Sequence, residues 1–165
     1  MHPLSEPALT RPLAALASEL PSARPAGLQA ARADPRGAEL IAEFGLPVCP
    51  GIHFTVADQW QIDRRMNATV IGKTSNHHVS LDLQTGMLWA VPSRPHLTES
   101  LFVNSTLPKF VDFIWRWASL DSVLEGLSHD IQSFDVTDDF LAYVHQNDPA
   151  PSGVHSLWVS WADTD

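Results

Sequence analysis

The stretch Val79-Ser-Leu-Asp-Leu-Gln-Thr-Gly86-Met-Leu-Trp-Ala-Val91 decides the fold class. Val79, Leu81 and Leu83 alternate with Ser80 and Asp82, the period of a strand with one buried face. Gln84-Thr85-Gly86 turns the chain, the glycine supplying positive φ, and Met87 to Val91 runs back beside the first strand. So short a connection pairs its strands antiparallel. The same period extends to either side. Ile52, Phe54 and Val56 alternate with polar neighbours, Thr69 to Lys73 is β-branched and bounded by turn formers, and Leu101-Phe102-Val103 reads as one more strand.

Helical signals flank this block. Leu9, Leu13, Leu16 and Leu20 mark one face of a short helix that tolerates Pro12, and residues 21–36, rich in Pro, Ala and Arg, read as a mobile connector. Asp34 is placed as an N-cap, Pro35 as the first helical residue, Leu40, Ile41 and Phe44 as a stripe, and Gly45 with Pro47 as the stop. Asn104-Ser105-Thr106 precedes a second, very apolar helix: Leu107, Phe110, Val111, Ile114, Trp117 and Ala118 form a stripe, and Asp112 pairs with Arg116. Further helices are expected at Ser122–Leu127 and at Thr137–His145, the latter capped by Thr137. Val154, Leu157, Trp158 and Trp161 fit either a helix or a strand over 154–162. Strands in the middle and helices at both ends predict an α+β fold with a mainly antiparallel sheet. The expected organisation is an N-terminal helix and connector over 1–37, then one domain over 38–165.

Charge narrows the function. Of 165 residues 10 are basic and 19 acidic, net −9, and the excess is confined: from Asp112 onward Arg116 stands alone against 10 acids. Such a balance argues against nucleic acid or an anionic membrane as direct partner and favours a basic one. Cys49 is single, no long apolar span is present and no basic leader precedes an apolar core, so the expected location is the cytoplasm.

Catalytic readings find little. His77, His78 and Asp82, with His53 or His96, are the nearest approach to a metal site, yet adjacent strand histidines face opposite ways. A G-x-S-x-G elbow is missing, Cys49 lacks an activating pattern, Gly72-Lys73-Thr74 lacks the earlier glycine of a phosphate loop, and Glu39 with Glu43 reads as a solvated helix face. No metal or other cofactor is expected. Asp135, Asp138 and Asp139 are placed in the first turn of a helix, where its positive end favours them. Together with Asp148 and an apolar anchor at Trp158 (or Trp161) they form the candidate partner-binding surface.

Three stretches, Glu43-Phe-Gly-Leu-Pro47, Val79 to Gly86 and Phe102-Val-Asn-Ser-Thr-Leu-Pro-Lys-Phe110, resemble in order and spacing the fourth group of SUKH-superfamily immunity proteins of bacterial polymorphic-toxin systems. The similarity runs from about residue 38 to the end, including Asp148-Pro149 and Trp158. Thr106 departs from it, since a second serine is commoner there, and residues 1–37 find no place in it. The resemblance implies a non-catalytic α+β domain that binds and blocks a cognate toxin, often a nuclease or nucleic-acid deaminase, and assigns no toxin contacts. The alternatives are a noncatalytic adaptor module of the same superfamily and a small metal-dependent hydrolase using His53, His77, His78 or Asp82.

Overall fold

The computed structural model describes residues 1–48, 51, 53–126 and 131–162. Its centre is a five-stranded antiparallel meander in the order β3 (Thr55–Asp63), β4 (Ala68–Lys73), β5 (His77–Asp82), β6 (Leu88–Pro92) and β7 (Leu101–Asn104). The β5–β6 hairpin has the expected form. Val79 pairs with Ala90 and Leu81 with Leu88, so four fully buried side chains share one face, and Gly86 turns at φ 75°. The Asp82 carboxylate accepts the Gln84 and Thr85 N–H groups and holds the turn. Strand β3 runs beyond the Phe54–Val56 alternation to Asp63, because a register shift between Val56 and Gln61 breaks the period. Ile52 lies outside the described residues.

Helix α4 (Leu107–Leu124) is the second organising element, with ten of its residues buried, among them Phe110, Phe113, Trp115 and Trp117. It continues through Ser122, where the sequence suggested a separate helix. Thr106 caps it by accepting the Lys109 N–H, and Pro108 sits in its first turn, where a missing N–H costs nothing. Helix α3 (Pro35–Phe44) crosses it closely. Asp34 caps both helices with one carboxylate: Oδ1 accepts the Gly37 N–H at 3.1 Å and Oδ2 the Leu107 N–H at 3.0 Å. A Cβ on Gly37 would lie 2.5 Å from Leu107, so glycine sets the crossing distance.

The first 37 residues are built into this core. Pro12 splits the expected helix into α1 (Glu6–Thr10) and α2 (Leu13–Ala17), which bury Leu9 and Leu16. Residues 21–36, expected to be a mobile connector, form defined structure instead. Strand β1 (Ser22–Ala23) pairs with β2 (Leu46–Pro47), Ala26 bridges to β3, and a 3₁₀ turn at Leu28–Ala31 buries Ala30 and Ala31 while Ala30 C=O accepts the Thr69 hydroxyl. Short pairings to distant strands leave no local period to read.

Two helices close the fold. Helix α5 spans Ile131–Asn147, so Thr137 is interior and donates its hydroxyl to the Ser133 carbonyl rather than capping. Helix α6 (Leu157–Ala162) resolves the 154–162 ambiguity in favour of helix, preceded by a one-residue bridge from Ser156 to Phe102. Leu127, Asp130, Asp163 and Asp165 lie outside the described residues.

Asp34→Ala removes two caps at once and is expected to lower the unfolding free energy by about 2 kcal/mol in urea titration. Gly37→Ala should cost about 1–3 kcal/mol by forcing α3 and α4 apart. Neither loss is expected at the exposed neighbour Arg36→Ala.

Candidate partner-binding surface

The residues that the sequence singles out fall into three sets by burial. Asp148 is 7% exposed, and its Oδ2 accepts the Asn104 side-chain N–H at 2.9 Å and the Ser105 backbone N–H at 2.8 Å. Trp158 is 1% exposed; its indole N–H reaches the Val103 carbonyl at 3.0 Å and Asn104 Oδ1 at 3.3 Å. Its ring meets Phe110, Phe113, Phe140 and Trp161. Asn104 therefore joins the end of β7 to the loop after α5 and to α6, and Thr106 alone of the Asn-Ser-Thr triplet caps α4 with its side chain. Asp148 and Trp158 are part of the packing of the chain, and Trp161 is buried beside them.

Asp139 is intermediate. Its carboxylate accepts the Ser5 hydroxyl and the His2 N–H, tying the start of the chain to α5. Burial alone would raise its pKa, but these hydrogen bonds outweigh burial and hold it below the ordinary aspartate value. A folded-state value below the unfolded one stabilises the fold above the unfolded pKa, and that contribution is lost as pH falls through the folded value.

Asp135 and Asp138 are exposed, and so is Glu125. With α5 starting at Ile131, neither Asp135 nor Asp138 nor Asp139 lies in a first turn, so the helix dipole does not account for them. Beside them stands Phe134, 69% exposed. A helix starting at Thr137 leaves Phe134 outside; one starting at Ile131 puts it one turn before Asp138, on the same outward face.

The single Lys or Arg of this region faces inward. Arg116 is 8% exposed, holds Asp112 through Nε and Nη2 at 3.0–3.1 Å, and donates Nη1 to the Ala8 and Arg11 carbonyls. Its guanidinium lies 5.0 Å from the Tyr143 ring centre, and the Tyr143 hydroxyl donates to Asp112 at 2.7 Å. Burial first, then this bond to a carboxylate, pushes Tyr143 up to about 12. From Asp112 onward, then, the described surface carries acids with no Lys or Arg among them.

The histidines do not converge. His53, in a left-handed conformation at φ 53°, and His78 line one open cleft of about 790 Å³ with Asp58 and Lys73. His77 precedes His78 on β5, Asp82 is at the far end of that strand in its turn, and His96 is exposed in the β6–β7 loop. Among the described residues no group of three or more His, Cys, Asp or Glu could hold a metal, and no helix is long and apolar enough to cross a membrane. Cys49 lies outside the described residues.

Over residues 9–164 the chain matches the family model described as SUKH-4 immunity protein. No curated protein and no solved structure matches it. The match begins within the N-terminal segment that the sequence motifs left unplaced.

Asp139→Asn is expected to lower the urea midpoint at neutral pH. The difference from wild type should shrink as pH falls through the ordinary aspartate range, about 3.9, and below. A difference independent of pH would show that the carboxylate's charge is not what holds Ser5 and His2.

Proposed function

The chain belongs to the SUKH-4 immunity protein family, and we propose that it neutralises a cognate toxin by covering it with the acidic outward face of α5. The family supports toxin neutralisation by non-catalytic binding. The observation that carries the finer reading is the burial of Arg116: the only Lys or Arg after residue 111 is spent inside, so no Lys or Arg of that segment offsets Asp135, Asp138 and Glu125 at the surface. A toxin that acts on nucleic acid, a nuclease or a deaminase, needs Lys and Arg around its own site to hold phosphates. An acidic cover competes for that surface, blocking substrate sterically and electrostatically. The same charge disfavours direct contact of this chain with nucleic acid or anionic lipid. Binding would take place in the cytoplasm, where the toxin's substrate lies.

Of the five residues Asp135, Asp138, Asp139, Asp148 and Trp158, the contacts of this reading are Asp135 and Asp138. Asp139, Asp148 and Trp158 support the fold that holds them, since their polar atoms are already engaged by Ser5, Asn104, Ser105 and Val103.

The test is a rescue assay with the toxin domain encoded beside this chain, followed by binding kinetics with purified components. Wild type should protect cells. Asp135→Lys with Asp138→Lys should slow association about tenfold or more at low ionic strength, with the gap closing as salt rises, because steering between exposed charges is screened. Protection without any salt dependence of association would remove the acidic-surface reading and leave the immunity role standing.

A further inference from the structure

A groove of about 690 Å³ opens between the second half of α5, the start of β7 and α6. Leu101, Leu141, Val144, Val154 and Val159 give it an apolar lining, and Val159 remains 45% exposed on α6 although Leu157, Trp158 and Trp161 of the same helix are buried. Glu99 and His155, 2.7 Å apart and both exposed, stand in its wall.

The groove is continuous with the acidic face. Phe134, Asp138, Leu141 and His145 follow one another at spacings of four, three and four, which places them on a single face of α5. Leu141 and His145 line the groove. From Asp138 to Leu141 the helix rises only about 5 Å. A cation paired with Asp138 would therefore sit within a side chain's reach of the apolar pocket.

Resting on the immunity reading above, we propose that this groove receives an apolar side chain of the toxin, carried on a basic segment whose Lys or Arg residues meet Asp135 and Asp138. The charge pattern selects that occupant. Neither α5, α6 nor the segment joining them contains a Lys or Arg, so an approaching acidic or neutral surface gains no attraction to Asp135 and Asp138 along this face while a basic one does. The arrangement is the usual division of an interface into a desolvated apolar centre and a charged rim. Asp135 and Asp138 govern encounter; the groove governs residence.

The experiment measures binding of the full chain to an active-site-inactivated form of the toxin domain encoded beside it, by surface plasmon resonance. Val159→Glu should weaken binding about tenfold or more, chiefly by faster dissociation, whereas Asp135→Lys with Asp138→Lys should act chiefly on association. Val159→Ser, a milder change at the same exposed position, should move dissociation in the same direction by less. Met66→Glu is the matched control, since Met66 is 44% exposed in the β3–β4 turn, and it should bind like wild type. Wild-type affinity in Val159→Glu, with the Asp135/Asp138 variant impaired, overturns the groove and spares the immunity reading. No binding by wild type overturns both. A wild-type dimer in sedimentation that Val159→Glu converts to monomer would assign the groove to a second copy and overturn the proposal as well.

Discussion

Helix α4 must be buried on nearly every side, and the rest of the structure is arranged to satisfy that demand. A helix apolar all round cannot lie on a surface; each large side chain left in water forgoes about 1.5–3 kcal/mol. The sheet covers part of α4, the N-terminal helices and α3 cover more, and α5 with α6 supplies the aromatic cluster in which Phe113, Trp117, Phe140 and Trp158 meet edge to face or tilted. This explains why the segment 1–37 packs against the rest of the chain. Without Ala8, Leu9, Ala30 and Ala31 packed into the common core, part of α4 and its neighbours would be exposed.

The same burial creates the electrostatic character of the outer surface. Asp112 and Arg116 are the charged pair of a helix with little contact to water, and an exposed i,i+4 pair would contribute about 0–1 kcal/mol. Breaking a buried one costs about 3–5 kcal/mol, because the survivor is left without solvent. Arg116 is close to the buried limit, and its remaining donors reach the Ala8 and Arg11 carbonyls while its face meets Tyr143. One guanidinium thus fastens α1, α4 and α5 together. Having that duty, it cannot neutralise Asp135 or Asp138, so the stability of the core and the negative charge of the exterior have one cause.

Much of the fold was legible because its signals are local. The Val79–Val91 alternation, the Asp34-Pro35 start and the Gly45 stop of α3 all act within one turn or one strand pair. What escaped reading depends on partners far away in the chain. Asp34 also caps Leu107, Asp148 accepts from Asn104 and Ser105, and Ser5 meets Asp139. An aspartate looks the same in sequence whether it faces water or ends a distant helix, which is why Asp148 and Asp139 were grouped with Asp135 and Asp138. Trp158 misled for a related reason: its pattern gave a face but not its direction, and only the neighbouring aromatics turn it inward. The start of α5 was misplaced because Thr137 is a good cap residue by type, whereas its hydroxyl is satisfied by Ser133 one turn earlier.

That separation of duties bears on how such a domain can meet a particular toxin. Asn104, Asp148 and Trp158 each hold several elements at once, so altering any of them strains the fold before it alters a surface. Phe134, Asp135, Asp138 and Val159 are exposed, so exchanging them costs little stability, typically within about ±0.5 kcal/mol for surface positions away from structural features. A protein that must fit one toxin and reject others needs recognition residues of that second kind. In the interface we propose, apolar centre and charged rim can then change independently, the first setting how long the complex lasts and the second how fast and with which partner it forms. Helix α5 is suited to both roles because its inward face, Val136, Phe140 and Val144, anchors it to the core and leaves the opposite face free to differ.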